Sequence, residues 1–149
     1  MRVIIQRVRE ASVVVEDEKV ANIQQGLLVL LGIEIEDIKE DANWLAKKIS
    51  ALRIFSDEEG VMNKSITEMG GEVIVVSQFT LYAKTKKGNR PSYIKASRPE
   101  QAIPLYGLFK EELSQLIGKK VQSGVFGANM QVSLINDGPV TIIIDTKNK

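Results

Sequence analysis

Between Gly26 and Gly32 the chain runs Leu27-Leu28-Val29-Leu30-Leu31 without a polar residue. That is strand length, far short of the ~20 residues a bilayer span needs. With no alternation, neither face of such a strand can be given to water. The rest of the chain must therefore cover it on both sides. A second run, Val73-Ile74-Val75-Val76, also begins as a core strand and then turns polar at Ser77-Gln78-Phe79-Thr80. At 149 residues the chain is the length of one domain, 1–149.

Two helices are predicted to supply the cover. Ile38, Ala42, Leu45, Ile49 and Leu52 recur at spacings of 4, 3, 4 and 3, one apolar face of a helix starting near Asp37. Asp37 with Glu40 reads as its capping box. Ser97-Arg98-Pro99-Glu100 is a second start signature, with Ser97 as cap, and Gly118 is the stop after about Ile117. Pro104 fits this helix badly, so the helix either kinks there or starts near Ile103. Strands are expected at Arg2–Arg9, at Ala11–Glu16 with a hairpin into Val20–Ile23, and at Val121–Val125, Met130–Ile135 and Val140–Thr146. Asn136-Asp137-Gly138-Pro139 reads as a turn between the last two. The fold class is α+β: one domain with a mixed, mostly antiparallel sheet.

The chain contains no His and no Cys. Imidazole bases, Ser-His-Asp triads, thiol nucleophiles, disulfides and His- or Cys-ligated metals are excluded. No metal and no cofactor is expected. Neither phosphate-binding glycine fingerprint occurs. The start, Met1-Arg2-Val3-Ile4-Ile5, lacks a signal peptide's long apolar region, so a cytoplasmic location away from membranes is expected.

Charge is concentrated. Ala83–Pro99 holds six basic residues (Lys84, Lys86, Lys87, Arg90, Lys95 and Arg98) and no acidic one, leaving 14 basic against 19 acidic residues elsewhere. Such a segment suits a polyanion. It directly follows Ser77–Thr80, where strand alternation would place Gln78 and Thr80 on one face and Ser77 and Phe79 on the other. An amide and a hydroxyl there can hold a substrate carbonyl or amine. Thr80 would need a neighbouring base to act as nucleophile. Phe126-Gly127-Ala128-Asn129-Met130 is a small-residue corner between two large apolar side chains, suited to a pocket mouth or to core packing. From the residues alone, backbone satisfaction at Ser77–Thr80 and a plain hairpin at Gly138-Pro139 remain open. So do two non-catalytic functions: an RNA-binding protein using the basic loop with Phe79 and Tyr82, and a small-molecule binding module.

Ser77-Gln78-Phe79-Thr80-Leu81 and Asn136-Asp137-Gly138-Pro139-Val140-Thr141 resemble the two signature motifs of the D-aminoacyl-tRNA deacylases, also called D-tyrosyl-tRNA(Tyr) deacylases. The resemblance continues through Gln6-Arg7-Val8, Ala11-Ser12-Val13, Arg53-Ile54-Phe55-Ser56-Asp57, Arg90-Pro91-Ser92 and Met130-Gln131-Val132, covering essentially the whole chain. Asn129 stands where many members have Asp, which leaves the motifs intact. The resemblance implies a homodimer with a barrel-like core that hydrolyses the ester between a D-amino acid and the terminal adenosine of tRNA, and glycine mischarged on tRNA(Ala). It implies that Gly138-Pro139 is a cis peptide inserted into the partner subunit's site, excluding L side chains, with Arg7 bracing it. Ser77, Phe79, Phe126 and Met130 would line the substrate pocket. Gln78 and Thr80 are the candidate catalytic positions, with the tRNA's own 2′-hydroxyl assisting. Lys84, Lys86, Lys87 and Arg90 are assigned to tRNA contact from charge.

Overall fold

The computed structural model describes residues 1–149. In chain order the elements are β1 (Arg2–Val15), β2 (Glu18–Ile23), β3 (Gly26–Gly32), α1 (Lys39–Ala51), β4 (Phe55–Ser56), β5 (Met62–Lys64), α2 (Ile66–Met69) and β6 (Glu72–Ser77). A 3₁₀ turn (Phe79–Tyr82), α3 (Pro99–Ile117), β7 (Gln122–Ser123) and β8 (Gln131–Asp145) complete the chain.

β1 organises the sheet. One edge pairs antiparallel with β3 through Arg2–Val8 and with β2 through Ala11–Val15. The other edge pairs antiparallel with β8 along nearly its whole length. β3, β6 and β7 then follow in parallel. The sheet curls until β7 returns to β2, where the Asn22 amide donates to the Gln122 side-chain oxygen at 2.8 Å. The barrel-like expectation and the α+β class hold, with α2 as a small third helix.

The unbroken apolar strands are explained by two cores. Leu27, Val29, Leu31, Val73 and Val75 face α1 and α3, joining Leu45, Ile49, Phe109 and Leu113. Leu28, Ile74 and Val76 face the barrel interior with Val8, Val13 and Ile23. β3 and β6 approach so closely that a Cβ on Gly26 would lie 1.8 Å from the Glu72 carbonyl oxygen, so no side chain is possible there. Arg2–Arg9 and Ala11–Glu16, expected as two strands, are one. Val8 opposes Asn136 and Glu10 opposes Ile135, which makes Arg9 an extra residue. That bulge shifts the parity, so Ala11 and Val13 join Val8 inside while Val3 and Ile5 face the helices.

Both helix starts differ from expectation. Asp41, not Glu40, caps α1, accepting from the Ile38 amide at 3.0 Å. Asp37 is instead buried, accepting from the Met1 amino group and from the Glu34 amide at 2.7 Å. Arg98, not Ser97, is the N-cap of α3, with Pro99 in the first turn. Pro104 neither ends nor delays this helix. Its missing N–H frees the Glu100 carbonyl, and both residues are exposed, so the carbonyl is open to water. Gly118 closes the helix in the left-handed region, φ 70°, as expected.

The largest departure is at the end of the chain. Asn136–Pro139 is not a hairpin turn. The segments on either side run in the same direction along β1: Val8 opposes Asn136 and Gln6 opposes Thr141. The residues between them are pushed out of a continuous strand, all opposite the single residue Arg7.

Candidate active site

β3 and β6 are parallel, and their carboxyl ends open onto one cavity of about 380 Å³, within the usual size of a small-ligand pocket. Leu31 and Ile33 come from the β3 side; Val76, Ser77, Gln78 and Phe79 come from the end of β6. Pro99 and Ala102 of α3 form a second wall, and Phe126, Gly127, Ala128, Met130 and Val132 a third. Five of the six predicted pocket and catalytic residues therefore meet: Ser77, Gln78, Phe79, Phe126 and Met130. Thr80 stands just behind the wall, its hydroxyl accepting from the Gln78 side-chain amide at 2.5 Å.

The strand alternation assumed across Ser77–Thr80 does not hold. β6 ends at Ser77 and Gln78 leaves β geometry at φ −143°, ψ 77°. The following 3₁₀ turn lets Gln78 reach Thr80 and leaves Phe79 at the cavity mouth, 56% exposed. The Gln78 amide still ties back to the Leu31 carbonyl at 2.8 Å, so this change of direction is anchored on β3.

The far wall is backed by the core. Phe126 packs edge-on against Tyr106 with ring centres 5.5 Å apart. The Tyr106 hydroxyl donates to the Val75 carbonyl at 3.0 Å. Burial pushes its pKa up to about 12, so the ring is a neutral prop rather than a base.

The basic segment follows the 3₁₀ turn that carries Phe79 and ends at the cavity, at Ser97 and Pro99. It leaves the 3₁₀ turn at Ala83 and returns to Ser97, whose amide donates to the Ile33 carbonyl at 2.9 Å. Lys84 and Ser92 exchange both backbone hydrogen bonds, closing the loop that carries Lys86, Lys87 and Arg90. None of its six cations has an ion-pair partner. Tyr82, proposed above as a surface aromatic, is buried beneath the Arg2 guanidinium, whose carbon lies 4.8 Å from the ring centre. Its place beside Phe79 is taken by Tyr93, with ring centres 4.9 Å apart. The sequence reading missed Tyr93, although an aromatic residue inside an acid-free basic segment was a usable signal.

Gly138 and Pro139 do not line this cavity. Their peptide bond is cis, as the resemblance implied, and both residues are exposed. Arg7 holds the segment, its Nε donating to the Asp137 carbonyl at 2.9 Å and its Nη1 to the Ile54 carbonyl at 2.6 Å. Asn136, also missed, closes the excursion from within. Its side-chain oxygen accepts from the Val140 amide at 2.7 Å and its amide donates to the Thr141 hydroxyl at 3.0 Å.

Residues 4–145 match the family described as D-Tyr-tRNA(Tyr) deacylase. The chain is 65% identical to a protein of Flavobacterium psychrophilum named D-aminoacyl-tRNA deacylase, over all of this chain and 99% of that one. It is 61% identical, with the same coverage, to a protein of that name from Parabacteroides distasonis. Among solved structures it is similar to a c-Myc DNA unwinding element binding protein, with TM-score 0.91, 41% identity, and 97% and 98% of the two chains covered. It also shares the fold of a probable eukaryotic D-amino acid tRNA deacylase, with TM-score 0.83, 18% identity, and 96% and 97% covered.

Proposed function

The chain belongs to the D-Tyr-tRNA(Tyr) deacylase family, and from that membership we propose that it is a D-aminoacyl-tRNA deacylase, hydrolysing the ester between a D-amino acid and the 3′ end of tRNA. Water adds to the ester carbonyl, the ribose oxygen departs, and free amino acid and tRNA result. The observation that carries this reading is one juxtaposition. A cavity walled by Ser77, Gln78, Phe79, Phe126 and Met130 opens beside a segment of six unpaired cations. The cavity suits the terminal nucleoside and its ester; the cations suit the phosphates behind it.

Gly138 and Pro139 are the chiral gate in this reading. Rejecting an L side chain requires a clash that side-chain rotation cannot relieve, and a braced backbone segment offers one. The segment is exposed, held by Arg7, and absent from its own subunit's cavity, which supports insertion into the cavity of a second copy. The outer edge of β8 is free, and its Ile135 and Ile143 are 47% and 68% exposed, which also supports a homodimer. Glycine carries no side chain to exclude, so glycyl-tRNA(Ala) passes the same gate. As the family resemblance implies, the vicinal 2′-hydroxyl of the terminal ribose assists the attacking water, a role consistent with a chain that has no imidazole and no thiol. Gln78 orients the ester, and Thr80 behind it holds the Gln78 side chain in place. Lys84, Lys86, Lys87 and Arg90 hold the acceptor end, and the enzyme works in the cytoplasm, where its substrate is made.

The test is hydrolysis of D-Tyr-tRNA beside L-Tyr-tRNA and glycyl-tRNA(Ala), with chelator present. Rapid loss of the D and glycyl esters alone is expected. Loss of none of them, with tRNA still bound, would leave a nucleic-acid-binding protein without turnover.

A further inference from the structure

Two aromatic pairs flank the cavity, and only one serves the core. Tyr106 is buried behind Phe126. Phe79 and Tyr93 meet edge to face at 4.9 Å and 76°, yet remain 56% and 38% exposed. Core packing does not account for a pair left this open. Phe79 lines the cavity and Tyr93 does not, so Tyr93 stands one ring further out. It lies between Arg90 and Lys95, in the segment whose cations have no ion-pair partner. The Lys84–Ser92 backbone pair fixes the loop's neck immediately before Tyr93, so the ring is held on an anchored stem.

Exposed aromatic faces among unpaired cations form the chemical pattern that binds single-stranded nucleic acid: bases stack on the rings and phosphates meet the cations. We propose that Tyr93 is a stacking platform for the nucleobase preceding the terminal adenosine, in the unpaired 3′ end of the tRNA. This rests on the reading of the cavity as the site of the adenosine and its ester. Tyr93 contacts substrate but takes no part in the chemistry. It reads the π-face of a base rather than its edge, so it contributes affinity without selecting a sequence. Its cost and benefit therefore belong to KM and not to kcat.

The competing role is mechanical, with Tyr93 serving only to prop Phe79. Two substrates separate the roles: D-Tyr-tRNA, and the D-tyrosyl 3′-ester of adenosine, which ends before the base that Tyr93 would touch. Tyr93→Leu keeps apolar bulk against Phe79 but removes the aromatic face; Tyr93→Ala removes both; Tyr93→Phe keeps the ring. For D-Tyr-tRNA, the Leu and Ala variants are expected to raise KM about tenfold, the scale of one lost base–aromatic stack, with kcat within twofold. Tyr93→Phe should match the wild type. On the adenosine ester all three should equal the wild type. Equal losses on both substrates, or rescue by Leu, would show a prop and overturn the proposal, as would an unchanged KM for D-Tyr-tRNA. A wild-type protein inert on both substrates would overturn the deacylase reading itself, and this inference with it.

Discussion

Arg7 donates to the main-chain carbonyl of Asp137 at 2.9 Å, and it is the one residue of β1 facing the whole excursion that β8 makes between Asn136 and Thr141. The same guanidinium reaches the Ile54 carbonyl, so it ties the excursion to the segment after α1. Hydrogen bonds from a charged donor contribute about 1.5–3 kcal/mol each. Arg7→Lys keeps the charge but cannot reproduce the planar fork that spans two carbonyls. The expected outcome is a loss of at least tenfold in kcat/KM for D-Tyr-tRNA, with a narrower ratio of D to L hydrolysis. Stereoselectivity and rate equal to the wild type would mean that the excursion does not depend on its brace.

Gly138 has φ 142°, where only glycine is unstrained, and a Cβ there would lie 2.8 Å from Val140 Cγ2 and 3.2 Å from the Arg7 guanidinium. Gly138→Ala must therefore displace the segment or its brace. The residue is exposed and belongs to neither core, so global stability should fall by about 1–3 kcal/mol, the scale of one strained backbone position. Deacylation of D-Tyr-tRNA should drop at least tenfold while tRNA binding persists. A variant that melts like the wild type and still deacylates at full rate would dissociate Gly138 from the gate.

Local pattern revealed strands and helices here because the residues that form them carry the signal themselves. Leu27–Leu31 required cover on two faces, and the structure supplies α1 and α3 on one side and the barrel interior on the other. What stayed hidden depended on partners distant in sequence. Asn136–Pro139 has turn-forming residues whether it ends a hairpin or bulges from one strand; the choice lies in β1, more than a hundred residues earlier. Asp37 looks like a helix cap until the Met1 amino group claims it. Pro104 looked disruptive because the sequence does not say that the lost bond falls on solvent. At the site, Ser77, Gln78, Phe79, Phe126 and Met130 were legible as residue types at a strand end and a corner. Their relative placement was not, since the path of the chain turns at Gln78.

Thr80 tests the absence of a protein nucleophile. Its hydroxyl accepts from Gln78 at 2.5 Å, and no imidazole exists to take its proton. Thr80→Ala removes one hydrogen-bonding group that orients Gln78. A decrease in kcat of less than about tenfold is expected, on the scale of one hydrogen bond. A fall of a thousandfold or more in a folded protein would restore a direct chemical role for the hydroxyl.

Stability should depend on acid in a defined direction. At Asp145 burial raises the carboxyl pKa, but the Lys147 amide and the Arg2 guanidinium outweigh it and leave the group below its ordinary value. At Asp41 burial is likewise outweighed, by the Lys147 ammonium and the Ile38 amide. Carboxyls lowered by folding stabilise the native state above their unfolded pKa, near 4, and lose that contribution as pH falls through the folded values. Tm should therefore fall steeply below about pH 4, with no imidazole step between pH 5 and 8. Asp145→Asn should lower Tm at pH 7 and converge with the wild type in acid. A gap of constant size from pH 7 to pH 3 would refute the linkage.

The basic segment makes the last prediction, because its charge is separable from the cavity's chemistry. Lys84, Lys86 and Lys87 are exposed and have no ion-pair partner. Replacing all three by Gln therefore removes no internal interaction, and Tm should hold within about 2 °C. If they meet phosphates, each lost contact reduces the salt exponent of binding by about 0.7–0.9. The triple variant should raise KM for D-Tyr-tRNA at ~0.15 M salt, flatten the dependence of log KM on log salt by about 2, and leave kcat unchanged. The adenosine ester, with no phosphate to hold, should show no effect at any salt concentration. An unaltered salt exponent for the tRNA substrate would place the acceptor end on another face of the protein.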